Sequence, residues 1–172
     1  MKTMKATVLC LLMPMLMLMA AMVYGQTKQT VPKFDGTWVL NREKSSGLTG
    51  ALGNAEILMV VTQNAKQLTA EQKVVIRERE QPSQELIYKL DGSENQIEVV
   101  RPMAGTMKLK VNWLSNGKVL ELHSNITGEN GGKEAVISTV EQWQLIGDTL
   151  RILRTRKSPQ GTQTFKLVFQ KQ

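Results

Sequence analysis

The sequence predicts an all-β fold, an antiparallel up-and-down β-barrel of about 8–10 strands. Three observations predict it. Short runs rich in Val, Ile, Leu and Thr recur every 10 to 15 residues from Phe34 onward, cut by turn residues. One hairpin, placed by its turn alone, sorts into an apolar and a polar face. Every connection but the first is also too short for a parallel crossover, which takes about a dozen residues or more.

The first 25 residues stand apart from this pattern. The chain has 172 residues, 22 Lys+Arg, 15 Asp+Glu and a formal charge of +7, yet seven of its ten Met and its one Cys, Cys10, precede Gln26. No acidic residue lies there. Lys2 and Lys5 precede a 17-residue apolar run, Ala6 to Met22, and Val23-Tyr24-Gly25 offers a cleavage site. This is the layout of a secretory signal peptide, and the expectation is export to the periplasm or outside the cell after cleavage behind Gly25. An uncleaved anchor is the alternative. It is disfavoured because a spanning helix wants about 20 apolar residues and Pro14 interrupts the run. Removing 25 of 172 residues leaves 147, with charge +5 once Lys2 and Lys5 are subtracted from +7. A chain of that size can bury a core as one domain. Without cysteine it has no disulfide framework, thiol nucleophile or Cys-ligated metal.

Residues 26–33, polar and carrying Pro32, read as a flexible lead-in to a barrel domain over 34–172. Strands are expected near 36–41, 56–63, 68–79, 84–90, 95–101, 106–113, 118–126, 134–146, 149–156 and 162–170. Asn116-Gly117 is the strongest short hairpin signal. With Ser115 opposite Lys118, Trp113 faces Leu120, Val111 faces Leu122, Leu109 faces Ser124 and Met107 faces Ile126. On the other side Asn112 meets Glu121, Lys110 meets His123 and Lys108 meets Asn125. The Gly147-Asp148 turn places Leu145 on Leu150, Trp143 on Ile152 and Glu141 on Arg154. Phe165, Leu167 and Phe169 add an apolar face to the last strand. Some ten half-apolar strands cannot lie flat with open edges, so the sheet must curl. A membrane-spanning barrel would turn the apolar face outward. That arrangement would crowd a narrow lumen, and the chain ends Phe169-Gln170-Lys171-Gln172 rather than on an aromatic residue.

Phe34-Asp35-Gly36-Thr37-Trp38-Val39-Leu40-Asn41 opens the barrel. Gly36-x-Trp38 resembles the first strand of lipocalins, and the fuller run resembles intracellular fatty-acid-binding proteins. The chain is most similar to small secreted bacterial proteins of lipocalin-like, calycin type. The similarity runs through Gly36 to Ser45, Tyr88-Lys89-Leu90-Asp91-Gly92, Glu141-Gln142-Trp143-Gln144-Leu145, Leu150-Arg151-Ile152-Leu153-Arg154 and Leu167 to Gln172. It implies a barrel with an apolar cavity and no particular ligand. Three departures stand out. Thr164-Phe165-Lys166-Leu167-Val168-Phe169 lacks the Arg-x-Tyr with which fatty-acid-binding proteins hold a carboxylate. Only residues 42–55 are available for a lid, where those proteins carry two helices. Lipocalins lay a late-strand Arg over the Gly-x-Trp indole, a role open to Arg154 or Arg156.

Barrel parity puts Tyr88, Leu109, Val111, Trp113, Leu122, Glu141, Trp143, Arg154 and Phe165 around the cavity. Gly36 and Trp38 form its base motif. Glu141 and Arg154 read either as a structural buried pair, whose breaking costs about 3–5 kcal/mol, or as the seat of an anionic ligand head. His123, the only histidine, falls on the polar face beside Lys110, Glu121 and Asn125, a setting without the pocket a general base needs. Gly47, Gly50 and Gly53 lack the Gly-Lys-Ser/Thr of a phosphate loop and read as a flap over the barrel mouth. No catalytic, metal or cofactor constellation is expected. Scattered charges and few aromatic residues disfavour nucleic acid. The expected function is non-catalytic binding of a small apolar or amphipathic ligand by an exported barrel. The alternative is a filled barrel serving as a structural or protein-interaction module of the cell envelope.

Overall fold

A computed structural model describes residues 31–115 and 117–172; the expected signal over 1–25, residues 26–30 and Asn116 lie outside the described residues. The strands are β1 (Gly36–Leu40), β2 (Glu56–Gln63), β3 (Gln67–Ile76), β4 (Arg79–Glu80) and β5 (Glu85–Lys89). They continue as β6 (Asn95–Val99), β7 (Gly105–Leu114), β8 (Val119–Asn130), β9 (Lys133–Ile146), β10 (Thr149–Ser158) and β11 (Gly161–Lys171). One turn of 3-10 helix spans Gly50–Asn54. The fold is an all-β antiparallel barrel in which hairpin follows hairpin, with β11 returning to pair with β1 through Trp38–Lys171 and Leu40–Phe169. Both expected hairpin registers are present, including Trp113–Leu120, Lys110–His123 and Glu141–Arg154.

Two features depart from the expected strands. The run expected over 68–79 is split, because Arg77 and Glu78 turn left-handed, at φ 50 and 61, and fold Arg79 back onto Ile76. Two successive positive φ values make the tight turn that matches strand twist. Neither residue is the Gly or Asn that signals such a turn. The second departure is a seam. β5 pairs with β3 and β6 with β7, but no ladder joins β5 to β6. Side chains span the gap instead: Asn95 Nδ2 donates to the Ile87 carbonyl at 3.1 Å, and Gln84 Nε2 to the Glu98 carbonyl at 3.5 Å.

Inward positions carry the core. Trp38, Leu68, Leu109, Val111, Leu120, Leu122, Trp143, Leu150, Ile152 and Phe169 are all buried. The lower end, where the turns at 64–66 and 147–148 and the chain at Gly117-Lys118 lie, is stoppered by Phe34. This ring packs edge-on to Trp143 at 5.7 Å and stacks with Trp113 at 6.3 Å. Its backbone is held as well: Trp38 Nε1 donates to the Phe34 carbonyl at 2.8 Å, and the Phe34 amide donates to Gln63 Oε1 at 2.9 Å. Gln63 Nε2 also reaches the Pro32 carbonyl at 3.2 Å. Pro32 is thus tied to the barrel. Burial of Phe34 and Phe169 contributes about 1.5–3 kcal/mol each.

The left-handed pair is the testable point of strain. Left-handed backbone costs non-glycine residues about 1–2 kcal/mol, partly offset by the extra unfolded-state freedom of a new glycine. The Arg77→Asn/Glu78→Gly variant should gain about 1 kcal/mol in stability. A lowered Tm on thermal melting would show that the turn has another form.

Candidate functional site

Half-way up the barrel the apolar interior is interrupted by charge. Glu141 on β9 and Arg154 on β10 are cross-strand partners on the inward face. Arg154 Nε donates to Glu141 Oε1 at 2.7 Å, and Trp143 Nε1 donates to Glu141 Oε2 at 2.7 Å. The guanidinium then crosses the lumen, its Nη2 donating to Gln72 Oε1 on β3 at 2.9 Å. Both carboxylate oxygens are thus satisfied, as a charge in a low-dielectric interior requires. The guanidinium has five N–H donors, and its remaining ones meet no protein acceptor among the described residues. Side-chain exposures of 22% for Arg154 and 16% for Glu141 show that solvent reaches the pair.

Beside the pair lies a cavity of about 60 Å3, lined by Met59, Ala70, Gln72, Gln84, Leu86, Tyr88, Glu141, Trp143 and Arg154. Burial pushes the Tyr88 hydroxyl well above its usual range, Glu141 pushes it further, and Arg154 partly opposes them. Tyr88 therefore stays neutral and can both donate and accept.

Of the residues that parity assigned to the cavity, Tyr88, Glu141, Trp143 and Arg154 meet there. The others lie away from it. Leu109, Val111 and Leu122 are at most 1% exposed and pack in the core, outside the lining of that cavity. Phe165 is likewise packed into the core. Trp113 lies at the lower rim, against Phe34, where it lines an external cleft with Val31 and Leu90. Met59, Ala70, Gln72, Gln84 and Leu86 were not singled out from sequence. Leu68-x-Ala70-x-Gln72 was the available signal, a polar residue at an inward position.

Neither Arg154 nor Arg156 lies over Trp38. Lys171 takes that place, with Nζ 5.5 Å from the indole centroid. Gly36 permits it, since a Cβ there would come within 2.7 Å of Lys171 Cε. The glycine of Gly-x-Trp thus leaves room for a cation–π contact. The 41–55 segment is a strap more than a flap. Ser46 exchanges backbone hydrogen bonds with Lys166 at 2.8 and 3.0 Å, and the Val168 amide donates to Ser45 Oγ at 3.0 Å. A Cβ on Gly47, at φ +86, would meet the Thr164 carbonyl at 2.4 Å, so glycine allows close docking onto β11. Leu48 and Leu52 then pack on the core.

His123 lies on the outer face of β8, where its Nε2 is 2.8 Å from Glu121 Oε1. Gln142 Nε2 donates to Glu121 Oε2 at 2.9 Å, and this bond, with the contact to His123, holds the Glu121 carboxyl below its usual pKa of 4.5 against the opposing effect of burial. Among the described residues no group of three His, Cys, Asp or Glu side chains is placed to hold a metal ion. No helix among them is long and apolar enough to cross a membrane.

No family model matches the chain, nor does any curated protein. Among solved structures it is similar to secretory abundant heat soluble protein 4 from Ramazzottius varieornatus, at 17% identity and a TM-score of 0.51, over 84% of this chain and 99% of that one. It is also similar to fatty-acid-binding protein 1 from Echinococcus granulosus, at 16% identity and a TM-score of 0.49, over 80% of this chain and 96% of that one. The fatty-acid-binding protein of Manduca sexta matches at 12% identity and a TM-score of 0.48, over 81% of this chain and 99% of that one. At such identities the likeness is one of fold.

Two outcomes follow from the charged groups. Arg154→Met leaves Glu141 without its cation and should lower stability by about 3–5 kcal/mol. The Glu141→Gln/Arg154→Met double variant should recover most of that loss in urea unfolding, whereas strictly additive single effects would show an unengaged pair. For Glu121 the folded pKa lies below the unfolded one. Its contribution is therefore present above pH 4.5 and is lost as pH falls through the lower folded value. Glu121→Gln should therefore lower stability most above pH 4.5, have little effect in acid, and flatten the dependence of stability on pH below 4.5.

Proposed function

We propose that the chain is an exported, non-catalytic binding protein that takes a small apolar or amphipathic ligand into the barrel, with the ligand's polar end against Arg154. The observation that carries this reading is the cavity of about 60 Å3 at Arg154, whose wall includes Gln84, Leu86 and Tyr88. These residues lie on β5 or just before it, and β5 is held by a ladder on one side only. Ligand sites commonly measure about 300–1,000 Å3, so the cavity must widen to take a ligand. Moving β5 outward widens it without breaking a ladder to β6. Leu86 is only half-buried, at the edge of the core, and Gln84 is exposed. Unused guanidinium donors suit a carboxylate or hydroxyl head. Export rests on the pattern of the first 25 residues.

The small volume also supports a second reading, a filled barrel that acts through its outer surface in the cell envelope. An apolar fluorescent probe with the purified protein separates the two. The first reading expects Trp143 quenching by the probe, tighter binding in Leu86→Ala and loss of binding in Leu86→Trp. A carboxylate-bearing probe should bind about tenfold or more weakly to a Glu141→Gln/Arg154→Gln variant, in line with a charged hydrogen bond of about 1.5–3 kcal/mol. A neutral probe should be indifferent to that change. Absence of probe uptake, or uptake indifferent to residue 86, would leave the filled barrel standing.

A further inference from the structure

The outer wall built by β10 and β11 is chemically unlike the rest of the barrel. Neither strand contains an acidic residue, while together they carry Arg151, Arg154, Arg156, Lys157, Lys166 and Lys171. Alternation sends Arg154 and Arg156 inward and leaves Arg151, Lys157 and Lys166 outside, interspersed with Leu153 and Val168. Lys44 of the strap joins them. A groove of about 610 Å3 runs here, lined by Lys44, Arg151, Leu153, Lys166 and Val168 among others, with no carboxylate in its lining. None of these four outer-wall cations (Lys44, Arg151, Lys157, Lys166) is in an ion pair among the described residues, whereas Lys108 on the β7 wall is paired to Glu94 at 3.3 Å.

The apolar residues are exposed on this same side. Leu153 on β10 is 41% exposed, Ile146 on β9 45% and Val39 on β1 38%. They spread over neighbouring strands instead of converging on one pocket, which suits an extended surface better than a single soluble anion. A strand-adding acidic peptide finds no purchase at the basic positions, because β10 is paired with β9 and β11 along its length, and β11 is covered at Lys166 by Ser46 of the strap and over Phe169–Lys171 by β1. The outward positions of β10 and β11 carry no aromatic ring on which a base could stack. Long cationic arms around a modest apolar patch match the boundary of an anionic bilayer, where their stems lie on acyl chains and their heads meet phosphates.

We propose that this wall docks the protein on an anionic lipid surface, with Lys44, Arg151 and Lys166 at the headgroups and Leu153 at the acyl boundary. The contact lies outside the barrel and does not depend on the interior being a ligand site. Co-sedimentation with phosphatidylcholine vesicles, with and without phosphatidylglycerol, tests it. Binding should require phosphatidylglycerol and weaken as salt shortens the screening length. Arg151→Ala and Lys166→Ala should each lower partitioning about fivefold, the effect of one basic residue near a charged bilayer. Leu153→Ser should lower it as well, and Lys108→Ala on the opposite wall should not. Thermal melting of each variant keeps loss of binding distinct from loss of fold. Equal binding to neutral vesicles, equal sensitivity to Lys108→Ala, or displacement by inorganic phosphate or a polyglutamate peptide at matched ionic strength would overturn the proposal.

Discussion

The pairing of β1 with β11 turns a row of hairpins into a container. Every other ladder joins strands close in sequence, whereas Trp38–Lys171 and Leu40–Phe169 bring the two ends of the domain together. Several features hang from this closure. Lys171 covers the Trp38 indole because the two strands lie side by side, and Trp38 in turn holds the carbonyl of Phe34. Phe34 then seals the lower end against Trp113 and Trp143. The strap docks on the same strand through Ser46 and Lys166. Loss of the β1–β11 contact would therefore loosen the floor, the wall and part of the upper rim together. Such long-range pairing is also slow to form, since loop closure precedes any gain from it.

Within the closed wall, the charged pair needs a specific setting. An isolated carboxylate in so apolar an interior is costly. Glu141 is tolerated because Arg154 and the Trp143 indole saturate both oxygens, and Arg154 because Gln72 meets it from across the lumen. The cluster ties β3 to β9 and β10 through the middle of the barrel. It also leaves hydrogen-bonding capacity next to the free volume.

Much of the fold was legible because turns fix register. Asn116-Gly117 and Gly147-Asp148 each determined a run of cross-strand pairs, including Glu141–Arg154, by a rule with period two. The parts that stayed hidden depend on other information. The Arg77-Glu78 turn uses residues that do not advertise a positive φ. The seam arises from how far the sheet curls, which no local pattern encodes. Parity identified inward residues, but not which of them touch: Leu109, Val111 and Leu122 point inward as Tyr88 does, yet they pack in the core while Tyr88 borders the cavity at Arg154. Lys171 over Trp38 was missed because it depends on the register between the first and last strands, which no short turn connects.

The seam has a consequence for association between molecules. β5 and β6, with the two-residue β4 beside β5, are the free edges of the sheet, and unpaired strand edges are templates for joining other chains. Here the two edges face one another, five residues each, and are bridged by Asn95 and Gln84. Each edge shields the other. A barrel that parts at this line presents both edges at once, so its closure and its resistance to aggregation rest on the same few side chains.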